Sequence, residues 1–151
     1  MIAPPEPRED ADQAVTRVLD AAHAGNHTLA STLAHAALES GVRHPALLDI
    51  RARWLAGRGC DEDALADFEA LRSWRPDDPV LLVHIGHLLA KLRRPQEALA
   101  AFNSAIAVGP HFAKAHYERG VVLGLLGETE EMRNAHERTV ALQPDNADAL
   151  A

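Results

Sequence analysis

Residues 79–110 read PVLLVHIGHLLAKLRRPQEALAAFNSAIAVGP. The first half places Leu81, Leu82, Ile85, Leu88, Leu89 and Leu92 at spacings of three and four, the period of an amphipathic helix. Asp78 followed by Pro79 fits a capping side chain and a proline in the first turn. Arg93-Arg94-Pro95 interrupts the pattern, because a residue preceding proline is driven away from helical angles. Pro95 then suits the first turn of a second helix, on which Ala98, Leu99, Phe102, Ala105 and Ile106 form one stripe before Gly109-Pro110 ends it. Two helices joined by so short a turn must double back with their apolar stripes facing. Gly86 and Ala98 are small where such a crossing brings backbones together, which leaves room for Phe102.

The pattern recurs. A shift of 34 residues superposes Pro76, Pro110 and Pro144, and it brings Phe68 onto Phe102. Ala52, Gly86 and Gly120 coincide in the first helices, and Ala30, Ala64 and Ala98 in the second. Gly25, Gly59 and Gly127 fall on the turns between paired helices, where a left-handed residue commonly closes a helix. Helices are expected at 11–24 and 28–39, 45–58 and 61–73, 79–92 and 95–107, and 113–126 and 129–141.

These residues resemble the tetratricopeptide repeat (TPR) family, whose unit is a 34-residue helix–turn–helix with small residues, an aromatic and a terminal proline at fixed places. The resemblance covers residues 11–146 as four repeats, 11–44, 45–78, 79–112 and 113–146, after a Pro-rich leader at 1–10. It implies an all-α fold, a right-handed α-α superhelix of four helix–turn–helix repeats, that is, a TPR-like solenoid. The third repeat fits best. The first departs with Val18 for the glycine, Ala34 for the aromatic and Val42 for the proline. The fourth departs with Met132, His136 and Thr139 at places usually small or aromatic. Arg17, Arg51 and Arg119 stand where the family usually has leucine; each is expected to lay its stem on the core and send its head to water. The segment 147–151 repeats the opening register of the earlier units, so it is expected to begin a further, truncated helix, with the native chain continuing past Ala151.

Composition bounds the function. A chain of 151 residues with 47% hydrophobic content can bury a core and by length is one domain. A net charge of −7 disfavours nucleic acid and anionic membrane surfaces, since phosphate contact needs clustered Lys and Arg. No run approaches the roughly 18 apolar residues that span a bilayer, and the opening lacks the pattern of a signal peptide. The single Cys60 fits a reducing compartment and is expected as an exposed thiol in a turn; the chain reads as cytoplasmic. Nine histidines invite a metal reading, and His84 and His87 lie three apart. No acid or cysteine completes a ligand set on that face, so no metal or other cofactor is expected. There is no nucleophile motif and no glycine-rich phosphate loop, so the chain is not expected to be an enzyme.

In family terms the first helix of each pair lines a concave face. Carried over place by place, the resemblance assigns Asp49, Arg53, Val83, His84, His87, Lys91, Lys114, Tyr117 and Glu118 to a partner-binding groove. Arg53, Lys91 and Lys114 imply a protein or peptide partner carrying acidic groups, and Tyr117 is an amphipathic anchor. Members that bind the C-terminal carboxylates of heat-shock chaperones need a set of Lys, Asn and Arg side chains. Here Lys114 alone matches, with Glu118 where the arginine would be, which excludes that ligand class. The expected function is therefore a non-catalytic protein–protein interaction module. The alternative is an N-terminal architectural or regulatory domain of a larger enzyme, of bacterial sulfotransferase or glycosyltransferase type, that packs against or dimerises its catalytic part.

Overall fold

The computed structural model of the protein describes residues 10–143. Residues 1–9 of the expected leader, Pro144 and the expected helix start at 147–151 lie outside the described residues. The described residues form eight α-helices and no strand: α1 Ala11–His23, α2 His27–Glu39, α3 Pro45–Gly57, α4 Asp61–Arg72, α5 Pro79–Lys91, α6 Pro95–Val108, α7 Ala113–Leu125 and α8 Thr129–Leu142. Each end lies within one residue of the sequence expectation.

Local chemistry fixes these ends. The Asp78 carboxylate accepts from the Val80 and Leu81 amides at 3.0 and 3.1 Å, with Pro79 in the first turn of α5. Asn26 caps α2 through the Leu29 amide at 3.1 Å, and the His44 imidazole accepts from the Ala46 amide at 3.2 Å. The turns within helix pairs use a left-handed residue: Gly25, Gly59 and Gly127 at φ 75, 78 and 81°. The turn between α5 and α6 puts Arg93 at the corresponding place, at φ 62°. A Cβ is tolerated there at a cost of about 1–2 kcal/mol.

The chain divides between Asp67 and Phe68, inside α4, into two compact units. In the first, α1 packs on α2, α2 on α3, and α1 also touches α3. Its core is built of small and aliphatic side chains, among them Val18, Ala30, Ala34, Leu47 and Ala52, all withdrawn from water. In the second, α5 packs on α6, α6 on α7 and α7 on α8, and α5 also touches α7. Phe102 fills the crossing of α5 and α6: a Cβ added to Gly86 would lie 2.6 Å from Phe102 Cε1. The expected small-residue crossing is therefore present, and any side chain at position 86 must displace the ring.

The α7–α8 pair solves the same crossing with other residues. Gly120 faces His136, whose Cδ2 would lie 2.5 Å from an added Cβ. Met132 stands where α6 has the buried Ala98, and its thioether occupies space opened by Gly124: a Cβ there would meet Sδ at 2.8 Å. Thirty-four residues earlier the matching place holds Ala90. His116, at the place of Leu82, is buried and satisfied, with Nε2 3.0 Å from the Pro110 carbonyl oxygen.

Candidate partner-binding face

In the first unit, α3 presents Asp49 and Arg53 one turn apart. Arg53 Nε donates to both oxygens of Asp49 at 3.0 Å, so this cation is already answered on its own helix. A half-exposed pair of this kind contributes little to stability.

In the second unit the helical period sets His84, His87 and Lys91 on one side of α5, and Lys114, Tyr117 and Glu118 on one side of α7. The two helices touch, and the Glu118 carboxylate reaches across so that Oε2 lies 3.5 Å from His87 Nδ1. His84 stacks on Phe68 with ring centroids 5.5 Å apart and planes 8° from parallel. Tyr117 stacks on His136 of α8 at 5.9 Å, which fixes its ring while leaving it 38% exposed. Lys91 and Lys114 are exposed, and Val80 of α5 and Val121 of α7 add exposed apolar surface. Val83 departs from the sequence expectation. It is 2% exposed, a packing residue of α5 rather than part of an open face. The repeat place it shares with Asp49 and Tyr117 fixes which way a residue points, but not whether another element covers it.

Sequence reading also missed an ionic cluster in the first unit. Arg51 was expected to send its head to water. Instead its Nε and Nη2 donate to the two oxygens of Asp67 at 2.7 Å each, and Nη1 lies 3.1 Å from His35 Nδ1. Asp67 is 5% exposed, so the bidentate bond keeps a carboxylate in the interior from going unpaired. That hydrogen bond raises the Arg51 pKa further above its ordinary value, against the opposing effect of burial, and Glu39 and Asp63 add to the rise. The cluster lines a cleft of about 280 Å³ with Leu55, Asp63 and Ala66. Thirty-four residues on, Ile85 and Ala101 take the places of Arg51 and Asp67, and the matching cleft has an apolar floor. The out-of-place arginine was the available signal; its partner, 16 residues away on another helix, gave none. Arg119 repeats the habit weakly, 3.5 Å from Asn103 Oδ1.

Among the described residues no group of three or more His, Cys, Asp or Glu could hold a metal ion, and no helix is long and apolar enough to cross a membrane. Cys60 is a free, exposed thiol.

No family model matches the chain. Over 54 residues it is 41% identical to a peroxisomal targeting signal receptor of Candida albicans, a match that covers 36% of this chain but 9% of that receptor. Among solved structures it is similar to YrrB, a TPR protein with an unusual peptide-binding site. The TM-score is 0.83 at 21% identity, covering 93% of this chain and 72% of the other. It is also similar to MamA from Desulfovibrio magneticus RS-1, with a TM-score of 0.79 at 16% identity over 91% of this chain and 78% of that one. With paired helices, small-residue crossings and left-handed turns in place, these likenesses fix the architecture: the chain has the all-α helical-repeat fold of the tetratricopeptide-repeat proteins.

Proposed function

We propose that this chain is a protein-interaction module whose residues 11–146 form four repeats, and that a peptide or helix docks on the α5–α7 face of the second unit. The observation that carries the reading is the exposure of Tyr117 and Val121 on α7, beside Lys114 and Glu118 and next to His87 and Lys91 of α5. A held aromatic ring among aliphatic and charged side chains is the composition of an interface centre. Two of the similar proteins support the reading by their descriptions, one a targeting-signal receptor and one with a peptide-binding site. On this reading Lys91 and Lys114 meet acidic groups of the partner, and Asp49 and Arg53 offer a smaller polar contact in the first unit. A cytoplasmic setting accords with the single exposed thiol.

The test is capture of binding proteins by the wild-type chain and by a variant carrying Arg53→Glu, Lys91→Glu and Lys114→Glu. Loss of a captured partner with helical circular dichroism unchanged is the expected result; undiminished capture refutes the face. A second reading, an architectural or regulatory domain packing against or dimerising a larger enzyme, is favoured by Leu125 and Leu126. They are exposed at the end of α7, Leu125 to 76%. On that reading Leu125→Asp abolishes the association and the triple charge reversal does not.

A further inference from the structure

Opposite charges three or four residues apart are closed along most of this chain: Arg53 with Asp49, Arg72 with Glu69, Arg94 with Glu97 and Arg133 with Glu130. Lys114 and Glu118 of α7 have the same spacing and lie on the proposed docking face, but they are not closed on each other. Lys114 makes no ion pair among the described residues, and Glu118 turns away from it to His87 of α5. Lysine on the N-terminal side of glutamate is the weaker helical arrangement, which leaves both groups to other partners. The Glu118 side chain is only 18% exposed, with His87 Nδ1 3.5 Å from its Oε2. Tyr117 lies between the two charges in sequence and is held in place by His136.

Four helical residues advance about 6 Å along the axis. Alternate side chains of an extended peptide lie about 6–7 Å apart on one face. We propose that this face selects a peptide carrying an acidic and a basic side chain at alternate positions, the acid on Lys114 and the base on Glu118, with apolar neighbours over Tyr117 and Val121. A peptide with two acids sets one of them against Glu118, and a peptide with two bases sets one against Lys114. This inference rests on the docking face proposed above and specifies the ligand's charge order.

The experiment uses the full chain and three fluorescein-labelled synthetic peptides, identical except for a central aspartate–leucine–arginine, aspartate–leucine–aspartate or arginine–leucine–arginine, read by fluorescence anisotropy. The mixed peptide is expected to bind about tenfold more tightly than either other, the equivalent of about 1.4 kcal/mol. Glu118→Gln removes its advantage over the doubly acidic peptide, and Lys114→Gln removes its advantage over the doubly basic one. Equal affinity of the three peptides for the wild-type chain overturns the charge order while leaving a peptide site. A Glu118→Gln variant that keeps the full preference overturns it as well. If the folded chain binds none of the three, the docking face itself falls, and the inference with it.

Discussion

The α5–α6 and α7–α8 pairs occupy successive 34-residue periods and cross equally closely, yet they distribute good and bad local chemistry in opposite ways. In the earlier pair the crossing is apolar: Phe102, fully buried, lies against Gly86. Its turn is the poor part, since Arg93 carries a side chain at φ 62°. In the later pair the turn is good, with Gly127 at φ 81°. Its crossing is the poor part, because His136 Nε2 is buried among the described residues without a hydrogen-bond partner. An unpaired buried nitrogen forfeits the water it had in the unfolded chain and gains nothing for it. In these two pairs a good turn and a good crossing do not occur together.

The sharpest way to break this contrast is truncation on both sides. Phe102→Ala is expected to cost about 3–5 kcal/mol in urea unfolding, the range for emptying a fully buried aromatic site. His136→Ala is expected to cost about 1 kcal/mol or less, because it also removes the unpaired nitrogen. Equal losses would mean that the two crossings are energetically alike. His136→Phe sharpens the comparison in the other direction. It copies the geometry that Phe102 adopts over Gly86 and keeps an aromatic ring under Tyr117, so a gain of about 1–3 kcal/mol and a higher Tm are expected. Arg93→Gly relieves the turn of the earlier pair, with an expected gain of up to about 1 kcal/mol, while Gly127→Arg should lose a similar amount.

The smallest effect concerns the start of α6. Arg94 donates two hydrogen bonds to Glu97, at 2.7 and 2.6 Å, and holds its carboxyl below the ordinary value despite the slight opposing effect of burial. The folded value is the lower one. The contribution is therefore present above the unfolded carboxylate value of about 4.3 and is lost as pH falls through the folded value. Comparing the Tm of wild type and Glu97→Gln across that range should show a small wild-type advantage near neutrality that disappears in acid. On a pair whose side chains are about half exposed the advantage is slight.

Most of the fold was legible because its signals are local. Prolines at helix starts, glycines at turns and a three–four apolar spacing act within a few residues, and eight helices followed from them. The Gly86–Phe102 contact was legible because both residues repeat at 34. What escaped depends on which helix covers which. Val83 and Tyr117 share a repeat place, yet one is buried and the other half-open. The Arg51–Asp67 bond joins residues whose separation matches neither the helical nor the repeat period, so no pattern along one helix announces it. Of the candidate face, the residue types were readable. The closure of Asp49 on Arg53 and the turn of Glu118 to His87 rather than to Lys114 required coordinates.

Met132 and Gly124 carry a consequence for how this hairpin can be inherited or grafted. A thioether sits where most copies of the unit keep an alanine, and it fits because the opposite strut gave up its methyl group. A methyl group at position 124 makes the thioether move aside, and an alanine at 132 leaves the space beside Gly124 unfilled. A module transplanted into another array keeps this contact when both residues go with it.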